Sequence, residues 1–357
     1  MRISLEPRAP SRLREVLMPF VAVAVSLAIC GLLIVIAGAN PFEAFAIMAS
    51  ASLGGKFAIT ETLARAAPII LTGLCALVAL RTRFWNIGGE GQLLVGAMAA
   101  AWIGAREQMP AVLLVPAMLV GAALAGSALA VIPGLLKTRL KVDEVVSTLM
   151  LNFITMYLMM ALLSGPWKDP VTGWTDSPDI RMEAEFPVFW AGTRLHLGVL
   201  VAGIAVLVIG IVLRRTSFGL AMKVVGENPK AAHHAGLNVG RVTLFAVLLS
   251  GALAGLAGAG EVGGTQFQVI ASISSGFGYA GLVVAMLARL SAIGIIPSAL
   301  FLAAITTGAD EMSRQTGVPF FVADAVQGIS LIAVLVAMTL SRYRIRLRGA
   351  PRSEAAS

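Results

Sequence analysis

The stretch RRTSFGLAMKVVGENPKAAHHAGLNVGR, Arg214 to Arg241, is short, polar and basic, and it stands between two apolar runs, Leu197–Leu213 and Val242–Glu261. Runs of about that length cross a bilayer as helices, at roughly 1.5 Å per residue. The interval between them therefore has to fold outside the membrane. Asn228 is a good N-cap, Pro229 suits the first helical position, Lys230 to Ala235 are mostly helix-compatible, and Gly236 can close the end in a left-handed conformation. A two-turn helix is expected, flanked by Gly226 and Gly240. Lying parallel to the membrane, such a helix has little support from its own chain and is expected to pack into a groove on another subunit. An ordinary solvated loop is the alternative.

The rest of the chain fits a polytopic membrane protein. Of 357 residues, 58% are hydrophobic and 13% charged, with a mean hydropathy of +0.87, outside the range of a soluble domain. Backbone groups in hydrocarbon must be satisfied within the segment, so each span is a helix. Ten segments qualify: Leu17–Ala37, Ala66–Leu80, Ile87–Ala105, Ala111–Leu136, Val145–Gly165, Leu197–Leu213, Val242–Glu261, Phe277–Ala288, Ala292–Gly308 and Phe321–Leu340. The second, eighth and ninth are short, which predicts broken or buried helices of the kind found at transport sites.

Orientation follows from Lys and Arg, which concentrate on cytoplasmic loops. With the amino terminus inside and ten spans, twenty of the 27 Lys and Arg fall on the cytoplasmic side and seven outside. The expected organisation is a cytoplasmic segment at 1–16, a membrane domain at 17–340 with a cytoplasmic loop at 214–241 and an external loop at 166–196, and a basic cytoplasmic tail at 341–357. Both termini are cytoplasmic, and the location is the cell's inner, or plasma, membrane. The net charge of +8 needs no nucleic acid, because anionic lipid at the inner leaflet is a sufficient partner. A rival reading takes Arg12, Arg14 and the apolar run ending at Ala37-Gly38-Ala39 as a signal peptide. Its removal would leave the other nine spans oriented as before.

Several chemistries find no residues to carry them. Cys30 and Cys75 lie within spans and read as small packing residues. The three histidines, His196, His233 and His234, share no span with an acid at ligand spacing, which argues against a metal site. No Gly-rich loop ends in Lys-Ser or Lys-Thr, and GGEGQ at Gly88–Gln92 lacks the Lys that would meet a phosphate. No soluble stretch is long enough for a catalytic domain, so the chain is not expected to be an enzyme.

Polar groups at membrane depth mark the expected pathway, because they are costly in hydrocarbon. Asn86, Glu90 and Gln92 sit among Gly88, Gly89, Gly91 and Gly96, where an unwound backbone is tolerated if it faces protein or water. Glu90 either lines the pathway or is a buried carboxyl bonded to nearby amides. Asn152 either faces the same cavity or bonds across a helix pair. Glu261 is expected to end the seventh span at the outer surface, and Asp324 to be interfacial. Gly251, Gly255 and Gly258 permit close helix contact. The external loop carries Asp169, Asp176, Asp179, Glu183 and Glu185 with Trp167, Trp174 and Trp190. It reads as a solvated acidic loop with interfacial anchors, or as a docking surface.

The segment Lys230–Gly236 is similar to the cytoplasmic loop of ABC importer permeases, in which two Ala and a Gly four positions later mark a coupling helix. Those relatives carry Glu where this chain has Lys230. RTRFWNIGGEGQLLVGA at Arg81–Ala97, VDEVVSTLMLNFI at Val142–Ile154, GLAMKVVGENPKAAHHAG at Gly219–Gly236 and SGALAGLAGAGEVGG at Ser250–Gly264 resemble, in order and spacing, permeases of the branched-chain amino acid, ribose and nucleoside class. Within it they resemble those of basic-membrane-lipoprotein-dependent nucleoside or simple-sugar importers. The likeness runs from about Leu17 to Tyr343.

The resemblance implies an all-α fold of the type II ABC importer kind, with about ten spans and an inverted repeat of spans two to five against seven to ten. The repeat puts the counterpart of the Asn86–Gln92 junction at Gly263–Gly281. It also implies coupling to an ABC ATPase through Glu227, Asn228, Pro229, Lys230, Ala231, Ala232 and Gly236. ATP and Mg would be held by that partner, with none bound by this chain. A second homologous permease and an extracytoplasmic substrate-binding lipoprotein complete the implied set. In GFGYAGLVVAMLARLSAIG, Tyr279 stands where relatives often have an acid; a ring there suits a base, of a purine nucleoside for example, and the change equally fits a different ligand. An ion-coupled secondary transporter of a small polar solute, with Glu90 titrating, is the alternative function; an enzyme acting on lipid should show clustered acids or His, and none is visible.

Overall fold

The computed structural model describes residues 2–7, 24–25, 27–170, 173–322, 324–326, 328–329, 332–333, 336 and 343–348. The chain divides into two compact units, Met1–Ala51 with Gly308–Ser357, and Ser52–Thr307.

In the first unit the terminal segments β1 (Arg2–Pro7) and β2 (Tyr343–Arg348) pair antiparallel, Arg2 opposite Arg348 and Pro7 opposite Tyr343. Helix α1 (Leu27–Ile36) turns through 118° into α2 (Pro41–Leu53). Gly38 supplies the left-handed residue of that turn (φ 87°), and the Asn40 side chain accepts from the Phe42 amide at 3.0 Å. Ile34, Ala44, Ala309, Met312 and Val318 form its core. Helix α2 was not expected from the sequence. The tenth expected span, Phe321–Leu340, lies largely outside the described residues, as does the first span before residue 24.

The second unit holds α3 (Lys56–Leu80), α4 (Gly89–Gly104), α5 (Ala111–Leu140), α6 (Glu144–Ser164), α7 (Leu197–Arg215), α8 (Ser217–Glu227), α9 (Pro229–His234), α10 (Val239–Glu261) and α11 (Phe277–Leu287). The next helix, α12 (Ala292–Thr316), begins in this unit and ends in the first. Among the described residues six helices are long and apolar enough to cross a membrane: α3, α5, α6, α7, α10 with its extension, and α12. Counting α1 with α2 as one bent span gives seven.

The short elements differ from those expected. The second and ninth spans are full-length helices of 25 residues, α3 and α12. Their polar ends lie beyond the apolar runs Ala66–Leu80 and Ala292–Gly308. Thr60 bonds back to the Lys56 carbonyl at 2.9 Å, Thr62 bonds the Ser52 carbonyl at 3.0 Å, and Glu61 pairs with Arg65, so the α3 helix continues through them. The end of α12 is supported in the same way by Glu311 with Arg314 and Gln315. The eighth is short as expected, α11 with 11 residues, and the other short helix is the third, α4 with 16.

These two half-length helices follow the two deeply buried ones, α3 and α10, which pack on each other; α4 rests on α10 and α11 on α3. Small residues make this possible. The Gly251-Gly255-Gly258 stripe of α10 faces this same chain: Gly251 and Gly255 lie on Gly126 and Ala122 of α5, and Gly255 and Gly258 on Gly96 and the Leu93–Ala97 turn of α4. Backbones approach so closely that a Cβ at Gly255 would strike the Ala122 carbonyl.

Candidate functional site

The connection from α3 to α4 is a knot of mutually satisfied polar groups. The Asn86 amide nitrogen donates to Gln92 Oε1 at 2.9 Å and to Ser250 Oγ at 2.8 Å. Its carbonyl oxygen accepts from the Gly88 amide at 3.0 Å and from Gln92 Nε2 at 3.2 Å. Ser250, from α10, donates to the Cys75 carbonyl at 2.8 Å, and its hydroxyl lies 3.1 Å from the Cys75 thiol. Asn86, Gln92 and Ser250 are all buried. Ser250 and Cys75 were missed as polar partners. Each is a small residue on an apolar helix, and only the α3–α10 packing shows that they meet.

One turn further on, the two half-length helices meet at their amino ends. Glu90, in the first turn of α4, accepts through Oε2 from the Gly278 amide in the first turn of α11, at 2.7 Å. Ser274 and Gly276 lie beside this carboxylate. It thus occupies the position where two helix dipoles present positive ends and free N–H groups. Only glycine fits opposite, because a Cβ at Gly278 would collide with the Glu90 backbone.

Asn152 of α6 fastens both sides: Oδ1 accepts from the Gly91 amide at 2.8 Å, while Nδ2 donates to the Ile87 carbonyl at 2.9 Å and to the Tyr279 hydroxyl at 3.2 Å. Thr72 of α3 donates to the Phe277 carbonyl at 2.8 Å. The structure therefore brings all five expected residues into one cluster. Glu90, Asn86, Gln92 and Asn152 are buried within it, and Tyr279 is 41% exposed.

Glu261, expected at the outer surface, is buried and accepts from the Thr265 hydroxyl at 3.1 Å, because α10 runs on into a wide turn over Val262–Gln266. Asp324 is exposed. Among the described residues no three His, Cys, Asp or Glu side chains come together as a metal site.

The Arg214–Arg241 segment folds as two helices. Thr216 caps α8 through the Gly219 amide at 3.1 Å. Asn228 ends α8 and caps α9, its side chain accepting from the Lys230 and Ala231 amides at 3.1 Å each, with Pro229 at the first position. Gly236 closes the end at φ 82°. Glu227, Asn228, Pro229, Lys230, Ala231 and Gly236 are exposed, and only Ala232 of this set is buried. Gly226, unremarked beyond its place as a flank, presses its Cα against the Arg81 carbonyl at the end of α3.

At the opposite end, the 166–196 loop straps the segment leading from α10 to α11. Ser177 donates its amide to the Val269 carbonyl at 2.9 Å and accepts from the Val269 amide at 2.8 Å. Ile180 bonds Phe267 and Phe186 bonds Gly263 through their amides, at 2.8 and 2.7 Å. Lys56 lies over the Trp190 ring at 3.8 Å, and Trp174, Phe189 and Trp190 are exposed.

His196 seats this strap. Its ring lies against Gly264 and its Nδ1 caps α7 through the Gly198 amide at 3.1 Å, while Nε2 is buried with no hydrogen-bond partner among the described residues. Burial pushes the ring down to about 4, below the roughly 6.5 of an exposed histidine. As pH falls the unfolded chain therefore takes up the proton first. Stability from this group is complete above about pH 6.5 and is lost progressively toward about pH 4, costing about 2 kcal/mol by about pH 5. Thermal unfolding of the detergent-extracted chain should show that acid-side loss, and His196→Asn, which keeps a cap acceptor, should reduce it.

Residues 58–335 match the family described as branched-chain amino acid transport system / permease component. The chain is 33% identical over 338 residues to a glucose ABC transporter permease protein of Haloferax volcanii, covering 92% of this chain and 89% of that protein. It is 33% identical over 344 residues to the guanosine ABC transporter permease protein of Bacillus subtilis, covering 94% and 96%. A nucleoside ABC transporter permease protein of Lactococcus lactis is 30% identical over 319 residues, 87% of each chain. Matched through most of its length, with long apolar helices around buried glycine-rich junctions, the chain belongs to the branched-chain amino acid transport system / permease component family.

Proposed function

We propose that this chain is the pathway-forming subunit of an ATP-driven importer, in the inner membrane, for a nucleoside or simple sugar delivered by an extracytoplasmic binding protein. The observation that carries the reading is the capped, exposed helix α9, which holds to its own chain through Ala232 and leaves its other polar and small residues open. A short helix so presented on a permease suits a groove on an ATPase. ATP and Mg belong to that partner, and this chain supplies no nucleotide site.

Ten spans in an inverted repeat, two to five against seven to ten, are supported by the reciprocal seating of α4 on α10 and α11 on α3. The Lys and Arg distribution supports cytoplasmic termini and an external 166–196 loop, whose exposed Trp174 and Trp190 suit a docking binding protein. Exposed Met150, Phe153, Ile154 and Tyr157 on α6 suit a second permease.

For the solute, Tyr279 is the forward group. Its ring is partly exposed and its hydroxyl is held by Asn152, so it can stack on a base at little entropic cost. Behind it Glu90, Asn86 and Gln92 hold the junctions. A purine nucleoside is accordingly favoured over a sugar. Competition of labelled guanosine uptake by purine nucleosides against glucose or ribose tests this, and competition by sugars alone would reverse it.

Gly236→Trp tests the coupling role. Gly236 is exposed and a Cβ there meets nothing within 4 Å, although φ 82° is strained for any other residue. Insertion is expected to persist while ATPase co-purification and uptake are lost. Undiminished uptake by this variant contradicts the assignment.

A further inference from the structure

Two left-handed turns lie at the exits of α3 and α11. Arg83 sits at φ 55°, and Arg289 and Leu290 at 51° and 55°, conformations that residues with a Cβ resist and that persist only when the surroundings impose them. A hydrogen bond reaches from one exit to the other: the Arg81 guanidinium donates through Nη2 to the Leu290 carbonyl at 2.8 Å. Arg81 is the C-cap of α3, and Leu290 lies just past the C-cap of α11, so the cation stands between two negative helix ends. It is not saturated there, since its Nε is buried without a hydrogen-bond partner among the described residues.

The same residue carries the only-glycine contact with α8. A Cβ at Gly226 would strike the Arg81 carbonyl and come within 3.1 Å of its carbonyl carbon and 3.5 Å of Thr82 Cα. At its other end α8 is pressed onto Val212 and Leu213 by Gly219, and Asn228 joins it directly to α9, donating to the Val224 carbonyl at 3.0 Å. A displacement of α9 therefore reaches the Arg81 backbone through a continuous, tightly packed helix. From there the guanidinium hands it to the exit of α11, whose entrance carries Gly278 against Glu90, and Tyr279.

We propose that Arg81 is a positioning residue for transport: its bond to Leu290, resting under Gly226, latches the exits of α3 and α11 and transmits movement of α9 to the Tyr279 end of α11. This rests on the permease reading above. A mechanical link needs different contacts in its two states, and the unused Nε–H of Arg81 gives the guanidinium another acceptor to find when the turns separate.

The test uses the transporter assembled with its ATPase in proteoliposomes, reading ATP hydrolysis and accumulation of labelled guanosine and glucose in parallel. Arg81→Gln is expected to keep hydrolysis within about twofold while solute accumulated per ATP falls about tenfold, the scale of an ordinary coupling energy. Arg81→Lys should recover part of it. Gly226→Ala should uncouple similarly, and combining it with Arg81→Gln should add little, because the two act in one chain of contacts. Proportional loss of hydrolysis and uptake, full additivity, or failure of both Arg81→Gln and Arg81→Lys to assemble overturns the latch. If the unaltered chain accumulates solute with no ATPase present, the permease reading itself falls and takes the latch with it.

Discussion

Replacing Gly255 with Leu is expected to eliminate the folded protein. Gly255 lies between two helices at once. Its own Cβ would strike the Ala122 carbonyl of α5, and a Cβ on Gly96 of α4 would strike Gly255 in turn. An added side chain in an ordinary core displaces flexible neighbours at about 1–3 kcal/mol. Here the obstacles are backbones of two helices whose approach also fixes Gly126 on Gly251 and Leu93 on Gly258. Relief requires moving α10 away from both, so the loss should exceed about 3 kcal/mol out of a total of the usual 5–15 kcal/mol scale. Gly203 of α7 is the control. Nothing lies within 4 Å of a Cβ there, so Gly203→Ala should be neutral or stabilising by up to about 1 kcal/mol. Size-exclusion profiles of the extracted variants decide: a monodisperse Gly255→Leu peak would show that the α4–α10–α5 packing is misread.

How much of this could be read from the sequence depends on whether a residue's partner is local. Asn228, Pro229 and Gly236 act within one turn of themselves, and the α9 bounds follow from them almost residue by residue. The starts of α5, α7 and α11 are likewise set by Pro110, His196 and Gly276 at their own N-caps, and those boundaries agree with the apolar runs. Where polar residues are neutralised by near neighbours inside a helix, apolar run length misleads, as with Thr60, Glu61 and Arg65 in α3.

The resemblance placed one junction at Gly263–Gly281, and glycine density marked the other, at Gly88–Gly96, because unwound or closely packed backbone needs it anywhere. It could not say what met there. The Glu90 carboxylate bonds an amide 188 positions away, Asn86 a hydroxyl 164 away, and the 166–196 strap is held mostly by backbone groups. Backbone donors carry no sequence signal, so a carboxylate serving them looks the same on paper as one facing solute.

That ambiguity makes Glu90 the position where substitution discriminates most. Glu90→Gln keeps an acceptor oxygen at the place where the Gly278 amide points, and replaces only the other carboxyl oxygen, by an amide nitrogen. If the carboxyl serves to hold α11 on α4, uptake by the Gln variant should stay within a few-fold of the parent. Glu90→Leu instead strands the Gly278 amide. That buried orphan costs about 1–3 kcal/mol, and the two positive helix ends are left facing each other without the carboxyl between them. Uptake should then be lost, with reduced thermal stability of the extracted chain. An ion-coupled carrier predicts the opposite order for Gln, since a residue that must gain and lose a proton cannot be replaced by an amide. Uptake abolished equally by Gln and Leu, together with collapse of parental uptake on adding an uncoupler while ATP is maintained, would favour that mechanism. Retained uptake in Gln and loss in Leu, unaffected by the uncoupler, identifies Glu90 as the pin between the two half-length helices.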